Sequence, residues 1–203
     1  MKKNKIIILY VFLFVLYPLF MTNGYKNTVM TKCISFALIT GVAFFVTAWM
    51  DYEKYVTENG GLGNFSIKKS IKNLSVTDKF GAAFILAALL SFAFAKYRAV
   101  AFTGSSDSYL GLFAVIVMAM IYRTAKKHFS LDEIFVLTAS VGGAAAALFA
   151  IIQFMGADLF GMFSAIEKTT DRIYNFLSTL GNTSVFGQYM ILILPLAVTG
   201  YCM

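Results

Sequence analysis

Arg172 is the side chain in this sequence best suited to chemistry on an anion. It lies in a long polar stretch, Gly156 to Ser184, with Asp158, Glu167, Lys168, Asp171, Asn175 and Asn182. A connection of that length is usually either functional or disordered. A guanidinium presents a rigid fork of donors that matches phosphate oxygens in parallel hydrogen bonds, so a phosphate-bearing substrate is the chemistry this residue invites. The same residue also suits two plainer roles, a snorkelling anchor at a membrane interface or a local partner for Asp171. A second polar stretch runs from Lys96-Tyr97-Arg98 to Asp107-Ser108-Tyr109.

Other reactive side chains are sparse. His128 is the single histidine, and its neighbours Lys126 and Lys127 make it read as a solvated residue of a basic turn. With no second histidine or cysteine near it, a zinc site has no ligand set. Cys33 and Cys202 stand far apart in apolar stretches, which is neither a disulfide framework nor a metal spacing, and they read as small core residues. Gly60-Gly61-Leu62-Gly63 has no strand before it and no Gly-Lys-Ser/Thr after it, so it reads as a flexible turn and not a nucleotide loop. No metal and no cofactor is expected.

The elements that must position Arg172 follow from composition. Hydrophobic residues make up 59% of the 203 positions and charged residues 13%, about half the charged share of a soluble domain. The mean hydropathy is +0.75. Lipid must therefore solvate much of the chain, and only helices or closed barrels satisfy the backbone in hydrocarbon. The apolar runs are long and lack the alternation of a barrel strand, so the fold class is all-α, a polytopic transmembrane helical bundle.

About six spans are expected, over Ile6–Met21, Cys33–Met50, Phe80–Ala95, Ser108–Ala125, Ile134–Met155 and Val185–Met203. The first, behind Lys2, Lys3 and Lys5, also has the shape of a signal peptide, although Met21-Thr22-Asn23-Gly24 is a poor cleavage site. None of the span interiors holds Asp, Glu, Lys or Arg, which argues against a proton relay, a voltage sensor or an ion-coupled pump. The net charge of +7 sits in the short loops, as membrane topology requires, and gives no reason to expect nucleic acid. With the N-terminus inside, eleven of the seventeen lysines and arginines fall on the cytoplasmic side and six outside. Within the 51–79 loop, Ile67, Ile71 and Leu74 recur at helical spacing among Lys68, Lys69 and Lys72. Residues 66–74 fit either a short basic helix lying on the anionic inner leaflet or a solvated linker. Gly142-Gly143 and the four alanines after it predict a helix that neighbours can approach closely.

Several segments together resemble the O-antigen ligase and polymerase superfamily. Arg172 is followed by Thr179, Gly181 and Asn182, and then by Leu194-Pro195-Leu196. In the family an arginine precedes a threonine-x-glycine-asparagine-proline-asparagine stretch that opens a helix reaching a Leu-Pro-Leu. Thr183 and Ser184 stand where the family has proline and asparagine. Gln153 to Asp158 is similar to the family's glutamine-x-x-glycine-x-aspartate. Phe102-Thr103-Gly104 with Tyr109-Leu110-Gly111-Leu112 resembles another family stretch, whose arginine falls on Ser108 here. Leu74-Ser75-Val76-Thr77-Asp78 has the family's Leu-Ser/Thr-x-x-Asp flavour before a span.

The resemblance implies glycan transfer from an undecaprenyl-diphosphate carrier at the outer face of a bacterial cytoplasmic membrane, without a metal or a nucleotide sugar. It implies that Arg172 is catalytic, holding the leaving diphosphate, and that Gln153, Asp158, Gly181 and Asn182 bind substrate or shape the helix ends around it. The family has about twice as many spans and carries further arginines and a histidine in its second half. The 203 residues are accordingly expected to be one transmembrane domain, the N-terminal half of such an enzyme, inactive alone. Expected partners are the bilayer, the lipid-linked glycan and the missing C-terminal half. The alternative is a six-span substrate-binding subunit of a small-molecule transporter, which suits the chain length but finds no inward polar cluster to form a pocket.

Overall fold

The computed structural model describes residues 2–22, 27–59, 74–105, 108–158, 161–162 and 177–202, and among these every regular element is helical. α1 (Lys2–Tyr10) passes through a wider π turn, Val11–Leu16, into the short α2 (Tyr17–Leu19). Then follow α3 (Thr28–Asn59), α4 (Val76–Ala93), α5 (Arg98–Thr103), α6 (Leu112–His128), α7 (Glu133–Phe154) and α8 (Thr183–Cys202). The chain forms two compact units, Met1–Ile39 with Phe129–Met203, and Thr40–His128.

Among the described residues, four helices are long and apolar enough to cross a membrane: Thr28–Glu58, Val76–Ala93, Glu133–Phe154 and Thr183–Cys202. Six spans are expected, and the described residues supply four. The first apolar helix, Ile6–Leu19, reaches only about 20 Å at 1.5 Å per residue, against a hydrocarbon core of about 30 Å. α6 has 17 residues, and its last turns carry Arg123, Lys126 and Lys127, so its apolar part stops at Tyr122. α3 departs in the other direction. Its apolar run ends at Met50, yet the helix continues to Asn59 because Asp51 to Asn59 contains no proline or glycine to stop it.

Helix ends are built by local chemistry. Ser75 and Asp78 form a reciprocal capping box at the start of α4: Asp78 N–H donates to Ser75 Oγ at 3.3 Å and Ser75 N–H to Asp78 Oδ2 at 3.2 Å. Asp132 caps α7 by accepting from Phe135 N–H at 2.9 Å.

α7 is the centre of the first unit. Its buried face, Ala139, Gly142, Gly143, Ala146 and Ala150, recurs every three or four residues as a helix stripe must. A methyl group built on Gly142 would collide with the Phe14 carbonyl oxygen of the π turn, and one on Gly143 with Ile193 Cγ2 of α8. Seven residues before Gly143, Val136 meets Gly200, seven residues beyond Ile193. That register makes α7 and α8 antiparallel neighbours. The close approach expected of the Gly-Gly-Ala run is therefore realised on two sides of one helix, with small residues letting backbones pack. At the lower end of the unit, Tyr10 is 1% exposed. Its hydroxyl donates to Ser130 O (3.2 Å) and accepts from Ser130 N–H (3.0 Å), with Phe129 and Phe135 edge-on to its ring.

Candidate functional site

Arg172 and its neighbours Glu167, Lys168, Asp171 and Asn175 lie outside the described residues, as do the 60–63 glycine turn and, but for Leu74, the 66–74 segment. The other four expected site residues, Gln153, Asp158, Gly181 and Asn182, all fall in the first unit.

Thr179 to Asn182 form a corner pinned from several directions. Ser178, fully buried and left-handed at φ 50°, donates its hydroxyl to Ala146 O of α7 at 2.7 Å. Thr179, 4% exposed, donates to Pro18 O at 2.6 Å. Gly181 is left-handed at φ 71°, and a Cβ there would stand 2.7 Å from Thr28 Cγ2. Only glycine meets both demands at that position. Asn182 then caps α8, its Oδ1 accepting from Ser184 N–H (2.8 Å) and Val185 N–H (3.4 Å). Thr179, Gly181 and Asn182 are thus explained locally by a helix entry wedged between α2, α3 and α7. Gln153 lies on the same helix as Ala146, roughly 10 Å further along, and is buried at 3% exposure in the last turn of α7. Asp158 follows on the surface and accepts from Met162 N–H at 2.6 Å. Asn182→Ala should cost about 1 kcal/mol in unfolding from detergent micelles, the typical value of a lost cap. A purely ligand-binding asparagine would leave the unfolding midpoint where it was.

The Pro18 carbonyl has a second donor. Lys32 Nζ donates to the carbonyls of Tyr17 (3.0 Å), Pro18 (2.8 Å) and Phe20 (2.7 Å), and also lies over the Tyr17 ring. It closes the C-terminal end of the first helix, where unpaired carbonyls and the helix dipole both favour a cation. Nothing in the sequence around Lys32 marks it for that duty.

In the second unit the other resembling stretch forms a crossing of backbones. Gly104 is left-handed at φ 85°, and a methyl group there would strike the backbone of Tyr109 to Gly111; one on Gly111 would strike Phe102 O and Gly104 N. Between them Ser108 N–H and Tyr109 N–H both donate to Ser105 O, at 3.2 and 2.9 Å. The two glycines exist here for close approach.

The polar groups that sequence reasoning missed are at the end of α6. Asp51 Oδ2 faces Lys127 Nζ at 2.8 Å and Arg123 Nη2 at 3.6 Å, and its Oδ1 faces His128 Nε2 at 3.3 Å. His128 is consequently not the solvated loop residue expected: it ends a helix, with its side chain 13% exposed against a carboxylate. Lys126 Nζ sits 2.6 Å from both Asp78 Oδ1 and Ser75 Oγ, and Tyr122 donates to Asp78 Oδ1 at 3.1 Å. The Asp78 carboxylate, by accepting a hydrogen bond from Lys126 Nζ, raises the Lys126 ammonium pKa above its ordinary value. Among the described residues, no three His, Cys, Asp or Glu side chains gather as a metal-binding group. Compared with family models, curated proteins and solved structures, the chain has no significant match to any of them.

Proposed function

We propose that this chain is part of an enzyme that transfers a glycan from an undecaprenyl-diphosphate carrier at the outer face of the bacterial cytoplasmic membrane. The reading rests on the order of resembling segments along the sequence, Gln153 to Asp158, Arg172, then Thr179 to Asn182. The four helices among the described residues that are able to cross a membrane suit a lipid-borne substrate. In this reading Arg172 holds the diphosphate as negative charge develops on the leaving group, a form of electrostatic stabilisation that needs no metal. Downstream of Arg172 the chain enters the pinned corner at Ser178 to Asn182, and Gln153 and Asp158 lie at and just beyond the end of α7 in the same unit.

The test is transfer of labelled glycan from an undecaprenyl-diphosphate donor in membranes containing the native gene product. Arg172→Ala is expected to slow transfer about 100-fold, the lower range for removing one charge-stabilising donor, with the protein still present in the membrane at its normal level. Transfer at the normal rate in that variant would remove Arg172 from the mechanism, and with it the proposed chemistry.

A further inference from the structure

α4 and α6 stand side by side in the second unit and leave a groove of about 620 Å³ between them. That volume lies within the range of sites that hold small molecules. Phe84, Ile85 and Met118 line its apolar length, and Arg123, Lys126 and Lys127 stand at one end. Those cations exceed the carboxylates that answer them: Asp78 faces Lys126, and Asp51 serves Lys127 and Arg123. Their side chains remain 39–54% exposed. Arg123 is 3.6 Å from Asp51 through one nitrogen, so most of its fork of five donors is left for another acceptor. An apolar channel closed at one end by surplus positive charge has the polarity of an amphiphile with an anionic head.

We propose that this groove seats one anionic diacyl phospholipid, its phosphate against Arg123, Lys126 and Lys127 and an acyl chain along Phe84, Ile85 and Met118. Charge favours a lipid over a second copy of the chain. A two-fold related copy would set the three cations against their own counterparts, whereas a phosphate adds acceptors for the donors that Asp51 and Asp78 leave open. α4 has no buried residue on any side, so its apolar surface is open to whatever hydrocarbon surrounds it. The inference is independent of the glycan-transfer reading, which concerns the other unit.

The test is native mass spectrometry of the full chain released from vesicles containing equal amounts of phosphatidylglycerol and phosphatidylcholine. One phosphatidylglycerol per chain should be retained, in about fivefold preference to phosphatidylcholine or more, and Arg123→Gln should lower its retention about fivefold. Loss of a cation also weakens the contact with Asp51, so the deciding variant is Gly81→Phe. Gly81 lines the groove, and a Cβ on it meets nothing within 4 Å, so a ring there fills the space while every charge stays. Retained phosphatidylglycerol should then disappear. Equal retention of the two lipids overturns the proposal, as does phosphatidylglycerol bound unchanged by Gly81→Phe. A lipid-free species of two chains overturns it in favour of a second copy.

Discussion

Gly142→Ala lowers the stability of the chain in mixed micelles by about 3 kcal/mol, the upper end of what overpacking costs. The added methyl would occupy the position of the Phe14 carbonyl oxygen, and a backbone atom cannot rotate away as a side chain can. The first helix must move off α7 as a whole. Gly143→Ala is the internal control. Its methyl meets Ile193 Cγ2, a side-chain branch that yields by a turn of χ1 or a small shift of α8 where a carbonyl cannot, so it should cost less, about 1 kcal/mol. Unfolding followed by circular dichroism as denaturing detergent is added measures both. Equal costs for the two variants would mean that the Phe14 contact is not made in the membrane.

Lys32→Met should cost about 3 kcal/mol by the same measurement, because it keeps the side chain's length and removes the donor to three carbonyls. Each is a hydrogen bond to a charged group, worth about 1.5–3 kcal/mol, and only part of that is recovered by water reaching the helix end. Thr179→Val removes a neutral bond and should cost about 1 kcal/mol. The double variant should exceed the sum of the two. After either single change the Pro18 carbonyl still has one donor, and after both it has none. Strict additivity would show that the two donors do not share that acceptor.

The extent to which this architecture is legible in the sequence depends on how far apart the interacting residues lie. The apolar runs locate α3, α4, α7 and α8, since hydrophobic length is a property of contiguous residues. Ser75 and Asp78 are separated by three positions, so their capping box could have been read directly; the Leu-Ser/Thr-x-x-Asp flavour noted there is that box. Hydropathy does not locate the end of α3, because apolar character stops at Met50 while helix propensity continues to Asn59. Lys32 and His128 illustrate the opposite limit. Lys32 has the composition of any loop lysine, and its carbonyl partners are chosen by how two helices meet. His128 lies in a basic run, but Asp51, 77 positions away by number, decides its surroundings. For the site, the glycines at 104, 111 and 181 are visible as unusual residues, and their reasons appear only when the backbone beside each is known.

The two donors on Pro18 also have a consequence for biosynthesis. Lys32 follows Pro18 by 14 residues and Thr179 by 161. At about 5–20 residues per second, the lysine is made within about 3 s and the threonine after roughly 8–30 s. The first helix can therefore be stoppered almost as soon as it leaves the ribosome, while its seat on Gly142 and the final bond from Thr179 do not yet exist. During that interval Lys32 alone guards the open end of the nascent helix. A cell translating the Lys32→Met variant would carry that end bare for the whole delay, which exposes the early chain to membrane quality control before the fold has closed.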